Sequence, residues 1–251
     1  MPLRLKLIAC EILFREFCAA AARSVNRVDV EFLPKRLHDL GQAGMFARLK
    51  GVVEEVDQSQ YDAVLLGYAL CSNGIVGLAA GDIPLVVPRA HDCISLFLGS
   101  KEQYLEYFQS HPGVYFKTSG WIERGEGPEQ FTGDSVQKRN SMNQTYEELA
   151  AKYGEDNARF LYEQLSEMTH NYGRLTYIEM GIEPDDRFER YAREEAAELG
   201  WDYERLTGDM SLIQDLLDAH WDDERFLVVQ PGSQVSASFD ERIIKAAKNR
   251  Q

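Results

Sequence analysis

The sequence predicts an α/β fold in which Rossmann-like parallel β-sheets are flanked by helices. Two observations point to this fold class. Short runs rich in β-branched and aliphatic residues alternate with segments of helical composition, and polar or glycine-containing residues follow each apolar run. Alternation at this spacing is typical of parallel βαβ units. At 251 residues and 44% hydrophobic, the chain is long enough for one large α/β domain or two small ones.

The strands are predicted from apolar runs bounded by turn residues. In chain order they are LRLKLIAC, VDVEFL, YDAVLLGYAL, IPLVVP, VYFKTSGW, RLTYIEMG, DYERLTG and RFLVVQPG. Two helices have terminal signals: DDRFERYAREEAAELG carries acids in its first turn, and Asp209 is placed to cap DMSLIQDLLDAHW. The remaining predicted helices are EILFREFCAAAARSV, KRLHDLGQAGMFARLKGVVEEV, IVGLAA, CISLFLGSKEQYLEYFQS, TYEELAAKYGEDNARFLYEQLSEMTHNY and FDERIIKAAKN.

These elements divide into two βα-rich halves. Residues 1–121 are predicted to form an N-terminal Rossmann-like half, and residues 122–251 a helical crossover followed by a second βα half. The polar, glycine-containing stretch from about 122 to 145 is predicted to be a long loop or crossover. The pattern is compatible both with two Rossmann-like lobes and with one large sheet.

The charge of the chain excludes several classes of partner. Its formal net charge is -14, with 41 acidic against 27 basic residues, and such a surface repels nucleic-acid phosphates and anionic lipid. No apolar run approaches the roughly 18 to 20 residues of a membrane helix, and the start of the chain lacks a signal-peptide pattern. We therefore expect a cytoplasmic protein that binds neither nucleic acid nor membrane, with its four cysteines reduced.

Three of the four cysteines follow predicted strands. Ligands of open parallel sheets bind at the carboxyl ends of the strands, and Cys10, Cys71 and Cys93 all lie at such ends. His91 lies two residues before Cys93. Cysteines that only fill a core have no reason to collect at strand ends, so we predict a metal site with these four ligands. Cys18 lies inside the first predicted helix and is expected in the core.

Three thiolates and one imidazole suit tetrahedral zinc. Other interpretations of the same residues stay open. Three cysteines could hold an iron–sulfur cluster with one open iron. The cysteines could also form a reactive-thiol site, or they could simply fill the core, since cysteine is often buried.

Other polar residues at the predicted strand ends complete the candidate site. Glu11, Asp92 and Glu179 are candidates for proton transfer, and Asp92 is alternatively a hydrogen-bond acceptor for an imidazole or a helix N-cap. The stretch GYALCSNGIVGL could present backbone N–H groups to an anion, although it lacks the GxGxxG spacing of dinucleotide loops. The predicted ligand-binding residues are Ser72, Asn73, Gly74, Trp121 and Asp209.

Aromatic residues also lie near the strand ends. They could wall a pocket for a cation or a flat ligand, or they could belong to the core. These residues are Tyr68, Trp121, Tyr172 and Tyr177.

The cysteine-bearing stretches carry a family likeness. IACEIL, LLGYALCSNGIVGL, VPRAHDCISLFLGS with YLEYFQSHPGVYFKTSGWIE, and GDMSLIQDLLDAHWDDERFLVVQPG resemble the domain-of-unknown-function family 1638. Members of that family occur mainly in anaerobic bacteria and methanogenic archaea, and their genes often accompany corrinoid-dependent methyltransferases of the trimethylamine and glycine-betaine type. The resemblance implies a role near one-carbon or methylamine metabolism and supplies no established reaction.

A second likeness concerns the type of site alone. Zinc enzymes that pass a methyl group from a corrinoid to a thiol use a His-x-Cys pair with a distant cysteine, and HDC together with Cys71 has this form. Those enzymes are TIM barrels, whereas this chain is too short and differently patterned for one.

These observations lead to three functional hypotheses. The first is a zinc-dependent transferase or hydrolase that activates a thiol, a water or a methyl group. The second is an accessory protein that binds or delivers a small molecule such as a methylated amine, a corrinoid or a metal to a methyltransferase or corrinoid protein. The third is an iron–sulfur enzyme with an open iron.

Overall fold

The computed structural model describes residues 1–35, 37–71, 73–111, 113–124, 172–238 and 240–249. The strands are β1 (Arg4–Cys10), β2 (Arg27–Leu33), β3 (Ala63–Gly67), β4 (Leu85–Pro88), β5 (Val114–Thr118), β6 (Arg174–Glu179), β7 (Asp202–Thr207), β8 (Phe226–Val229), β9 (Ser233–Ala237) and β10 (Ile244–Lys248). The α-helices are α1 (Phe14–Arg23), α2 (Gly41–Glu54), α3 (Cys93–Phe97), α4 (Lys101–Ser110), α5 (Ser119–Glu123), α6 (Arg187–Leu199) and α7 (Ser211–Asp218). The predicted helix TYEELAAKYGEDNARFLYEQLSEMTHNY lies almost wholly outside the described residues.

Two sheets of mainly parallel strands form the frame, which confirms the predicted Rossmann-like α/β class. The first sheet has the strand order β2-β1-β3-β4-β8, and its first four strands are parallel. The last strand, β8, pairs with β4 in the antiparallel direction. The second sheet has the order β5-β6-β7 and is parallel throughout. Strands β9 and β10 form a separate antiparallel hairpin.

The two sheets do not coincide with the two predicted halves of the chain. Strand β5 precedes residue 121 but pairs with β6 in the second sheet, and β8 comes late in the chain but completes the first sheet. The division of the chain at residue 121 stays a prediction.

The first sheet is buried on both faces at strands β3 and β4, because these two strands are apolar throughout. Along β1, Leu5, Leu7 and Ala9 enter one buried cluster, which also contains side chains of α1 and α7, and Ile8 enters a second cluster that contains side chains of α2. This alternation follows from the two-residue period of a strand. A third cluster lies between the second sheet and α6.

The two sheets meet through close backbone contacts. A Cβ atom added to Gly120, in α5, would lie 1.7 Å from the carbonyl oxygen of Ile12, so only glycine fits there. The backbone N–H of Asp209, which follows β7, donates to the carbonyl of Phe97 in α3 over 2.9 Å. The carboxyl end of the second sheet therefore packs against the segments that follow β1 and β4.

Three predicted elements are wrong. IVGLAA is not a helix: Gly77 has φ +95°, and the backbones of Gly77 and Leu78 bond to Val235 in the hairpin. FDERIIKAAKN contains β10 rather than a helix, because pairing with β9 buries Ile243 and Ile244. The single helix predicted over CISLFLGSKEQYLEYFQS is two helices separated at Gly99, whose φ is +78°.

The segment VYFKTSGW is a strand only as far as Thr118, so Trp121 lies on α5. No helix in the described ranges is both long and apolar enough to span a membrane.

Candidate functional site

Three cysteines line one cavity at the carboxyl edge of the first sheet. Cys10 ends β1, Cys71 lies four residues beyond β3, and Cys93 begins α3 after β4. The segments that follow β3 and β4 stay side by side, since the N–H groups of Leu70 and Cys71 donate to the carbonyls of Ala90 and His91 over 2.9 and 3.0 Å. The predicted convergence of three thiols on one place is therefore present.

The cavity is small and mostly apolar. Its volume is about 30 Å³, enough for about two water molecules. Trp121 of α5 contributes one wall, so both sheets supply parts of the site. The lining residues are Cys10, Ile12, Leu13, Leu37, Met45, Gly67, Tyr68, Ala69, Cys71, Cys93, Leu96 and Trp121.

Cys71 occupies a backbone conformation that is unusual for a side-chain-bearing residue. Its φ is +43°, and Asn73, two residues later, has φ +65°. The left-handed region costs a non-glycine residue on the order of 1 to 3 kcal/mol. Ala219 and Ile243, which do not line the cavity, adopt the same region, so this conformation alone assigns no role to the Cys71 thiol.

Burial keeps the three thiols protonated. It raises the pKa of Cys10 and of Cys71 to about 12 and the pKa of Cys93 well above its usual value. The Lys35 ammonium, whose residue is only 8% exposed, acts in the opposite direction on the pKa of Cys10. Without a bound cation, these cysteines are therefore thiols at neutral pH.

The hydroxyl of Tyr68 is buried at the cavity. Tyr68 directly follows β3, is 3% exposed and lines the cavity. Its hydroxyl makes no hydrogen bond of acceptable geometry with any group in the described ranges. A buried hydroxyl without a partner is uncommon in folded proteins and requires an explanation.

The structure places His91 away from the cavity. The residue is exposed and its side chain does not line the cavity; its backbone carbonyl, rather than its imidazole, contacts the Cys71 segment. In the described part of the chain, no group of three or more His, Cys, Asp or Glu side chains is arranged so that it could hold a metal ion. A metal at this cavity therefore requires the thiol side chains to turn toward one another.

The predicted proton-transfer residues have other partners. Asp92 is the N-cap of α3, where its carboxylate accepts hydrogen bonds from the N–H groups of Ile94 and Ser95. The carboxylate of Glu11 accepts the backbone N–H of Lys35 over 2.9 Å. Glu179 ends β6 and lies 3.6 Å from Arg205, outside the cavity lining.

The predicted ligand-binding residues are scattered. Of this set, Trp121 lines the cavity, whereas Ser72 lies outside the described residues. Asn73 is exposed, and Gly74 is buried against Met45. The Asp209 carboxylate accepts the N–H of Ser211, but the predicted helix cap is wrong, because the N-cap residue of α7 is Met210.

Of the aromatic residues near strand ends, Tyr68 and Trp121 line the cavity, and two others do not. Tyr177 is fully buried in the cluster beneath α6. Tyr172 contacts Tyr115 edge to face and Trp201 with tilted rings, at the opposite, amino-terminal end of the second sheet.

Two residues near the site differ from their expected roles. Cys18 was expected in the core but is exposed, because α1 turns Glu16, Phe17 and Ala20 inward instead. Lys35 was not predicted as a site residue, although it lies two residues beyond β2 at the same sheet edge as the cysteines. Applying the strand-end rule to β2 would have found it.

Comparison with known proteins adds a family but no named relative. No curated protein and no solved structure is similar enough to the chain to count as a match. The model of one family, described as a protein of unknown function (DUF1638), matches residues 32–217. This match includes Cys71 and Cys93 and excludes Cys10, and it spans most of the sequence. The chain therefore belongs to the DUF1638 family.

Proposed function

We propose that the cavity is a zinc site in which Cys10, Cys71 and Cys93 are the protein ligands and a fourth position is left for an exogenous ligand. The observation that carries this proposal is that three thiols from three neighbouring strand ends line one cavity. Three protein ligands with one open position are the usual arrangement of catalytic zinc. The exposed side chain of His91 makes it a poor candidate for the fourth ligand.

The size of the cavity supports a single ion over larger groups. A volume of about 30 Å³ suits one ion with one small ligand atom. An iron–sulfur cluster contains several iron and sulfide atoms, and a corrinoid is larger still, so both would require the cavity walls to move apart. We therefore favour mononuclear zinc over both alternatives.

The raised pKa values argue against a site that works through free thiols. A nucleophilic cysteine needs a lowered pKa, whereas burial raises the pKa of Cys10 and Cys71 to about 12. A divalent cation reverses this balance, because it binds the thiolate and displaces the proton. The unpartnered hydroxyl of Tyr68 fits a site that is complete only with a ligand.

The chemistry that such a zinc ion supplies is the activation of a bound thiol or water. Three thiolates more than neutralise the charge of the ion, and the other walls are largely apolar. These surroundings favour a bound thiolate over a bound hydroxide, and so a transferase over a hydrolase. Cysteines that stay reduced, as in a cytoplasm, suit this role. A link to methylamine or one-carbon metabolism stays part of the proposal.

The proposal is tested by metal analysis of protein purified without oxygen. We expect about one equivalent of zinc and no visible colour in the wild type. The variants Cys71→Ala and Cys93→Ala should lose the metal, because each removes a lining thiol. Cys18→Ala is the matched control, since this cysteine is exposed and outside the lining.

Equal metal content in all three variants would exclude these ligands. Iron with sulfide and a brown colour would favour the cluster enzyme, and protein without metal would leave the zinc proposal unsupported. Where zinc is present, methyl transfer to small thiols is the first reaction to assay.

A further inference from the structure

A second cavity lies where the parallel part of the first sheet meets its antiparallel strand. Arg89 directly follows β4, whose last residue, Pro88, pairs with Phe226 at the start of β8. Lys101 at the start of α4 and Leu212 of α7 contribute other walls. The cavity has a volume of about 420 Å³, within the range of roughly 300 to 1,000 Å³ that is typical of small-molecule sites. It therefore occupies the carboxyl edge of β4, where ligands of open parallel sheets commonly bind.

The charged side chains of this cavity are sorted by burial. Its three cations are the more buried members, because the side chains of Arg89, Lys101 and Arg225 are 2%, 18% and 36% exposed. Its three carboxylates belong to exposed residues, namely Glu102, Asp222 and Glu224. The inner part of the cavity is therefore cationic, whereas its rim is acidic.

The deepest cation is held in place by the surrounding backbone. The Nε of Arg89 donates to the carbonyl of Asp223 over 2.8 Å, and its Nη1 donates to the carbonyls of Arg242 and Ile244. Its Nη2 donates to the Asp223 carboxylate over 2.9 Å. A guanidinium has five N–H groups, two of them on each Nη atom. One N–H of the Arg89 Nη2 is therefore left without an acceptor in the described ranges.

The other two cations also keep donors in reserve. The Nε and Nη1 atoms of Arg225 donate to Asp222 and Asp215, each over 2.8 Å, but its Nη2 has no acceptor among the described residues. The Lys101 ammonium, which has three N–H groups, donates to the carbonyl of Glu241 over 2.6 Å. Three oriented cations with N–H groups left over are the donor set that a carboxylate or phosphate needs.

We propose that this cavity binds a small polar molecule through an oxyanion, either a carboxylate or a phosphate group, which Arg89, Lys101 and Arg225 hold. The amino-terminal end of α4, at Lys101, adds positive potential to the same place. The acidic rim repels extended polyanions, so the ligand is a single small molecule rather than a nucleic acid. This site shares no lining residue with the cysteine cavity and does not depend on the zinc proposal.

The experiment is calorimetric titration of the full chain with inorganic phosphate and, separately, with succinate. Ionic strength is held constant with chloride, because salt screens such contacts. We expect Lys101→Met to weaken binding about 10- to 100-fold, since hydrogen bonds to charged groups are strong. We expect Glu224→Gln, which removes an acid from the rim, to tighten binding up to about five-fold. Lys50→Met is the control, because this exposed lysine of α2 lies outside the cavity lining.

Opposite effects of Lys101→Met and Glu224→Gln would support the site, since a damaged fold cannot tighten binding. Heat from phosphate alone would assign a phosphate ligand, and heat from succinate alone would assign a carboxylate. No binding of either anion by the wild type at millimolar concentration would refute the proposal, as would equal affinity in Lys101→Met and the wild type. Metal content, measured on the same samples, tests the zinc site separately.

Discussion

The two parallel sheets end in different chemistry, although both present carboxyl ends where ligands commonly bind. At the first sheet, Cys10, Cys71, Cys93 and the Tyr68 hydroxyl line a shared cavity. At the second sheet, charged side chains are already paired. Glu179 lies 3.6 Å from Arg205, as described above.

A further carboxylate at the carboxyl edge of the second sheet, that of Glu183, also has hydrogen-bond partners. Glu183 accepts the N–H groups of Met180 and Ile182 over 2.9 and 3.0 Å, and Thr118 caps α5. The exceptions include the buried hydroxyl of Ser119 and the buried Nε of Arg124, which have no hydrogen-bond partner among the described residues. The comparison teaches that location at a strand end is a weak criterion for a site, and that polar groups left unpartnered in a cavity are a stronger one.

The sharpest test of this difference is the pH dependence of metal binding. Because the three thiols of the first edge are protonated at neutral pH, zinc must displace up to three protons, and its affinity should fall by up to about 10³-fold per pH unit on acidification. Competition with a chromophoric chelator between about pH 6 and pH 8 measures this slope. Glu179→Gln at the second edge should leave the slope unchanged, and an affinity independent of pH would contradict thiolate ligation.

A second test concerns Glu16, a buried carboxyl where α1 faces the second sheet. It is 0% exposed, its oxygens lack hydrogen-bond partners in the described ranges, and its charged neighbours are Arg15, Glu123 and Glu183. Burial raises its pKa from 4.5 to about 8. The protonated form therefore stabilises the fold below pH 4.5, and this contribution is lost as the pH rises toward 8.

Glu16→Gln removes that titration. Relative to wild type, we expect the variant to gain roughly 3 to 5 kcal/mol of unfolding free energy between pH 4.5 and pH 8, as measured by denaturant unfolding across this range. The exposed Glu198→Gln serves as the control. A constant difference between Glu16→Gln and wild type at all pH values would mean that Glu16 stays ionised in the fold.

The smallest effect is expected for an ion pair that joins the two halves of the chain. The Arg15 guanidinium binds the Glu123 carboxylate through two hydrogen bonds of 2.7 Å, and both side chains are about one-quarter to one-third exposed. Partly exposed pairs of this kind contribute up to about 1 kcal/mol. A double-mutant cycle with Arg15→Ala and Glu123→Ala measures their coupling. A coupling free energy well above that value would show that the Arg15–Glu123 ion pair stabilises the fold more than a partly exposed pair is expected to.

The sequence predicted the parallel frame because the runs of β1, β3 and β4 are short and aliphatic, and because helical segments separate β1 from β2 and β2 from β3. The same rule placed Cys10, Cys71 and Cys93 at one edge without knowledge of distances between them. It could not predict that His91 is exposed, because the course of this segment depends on distant contacts, such as those of Arg89 with Asp223 and with the carbonyl of Arg242.

The failures elsewhere have a common cause. The last segment, with two isoleucines and alanines between lysines, has good helical composition, but pairing with β9 outweighs this preference. Helix α1 is a second case. Its position against the core buries Glu16 beside Phe17 and leaves Cys18 exposed, although Cys18 was expected to be buried. In both cases distant contacts decide what local composition cannot.

The position of β8 in the first sheet has a consequence for synthesis of the chain. Its partner β4 ends at Pro88, whereas β8 begins at Phe226. While the ribosome makes the intervening residues, the apolar edge of β4 has no strand to pair with, and open apolar edges recruit other chains. The nascent protein therefore has an unpaired, aggregation-prone strand edge during most of its synthesis. A chain that stops before Phe226 keeps that unpaired edge permanently.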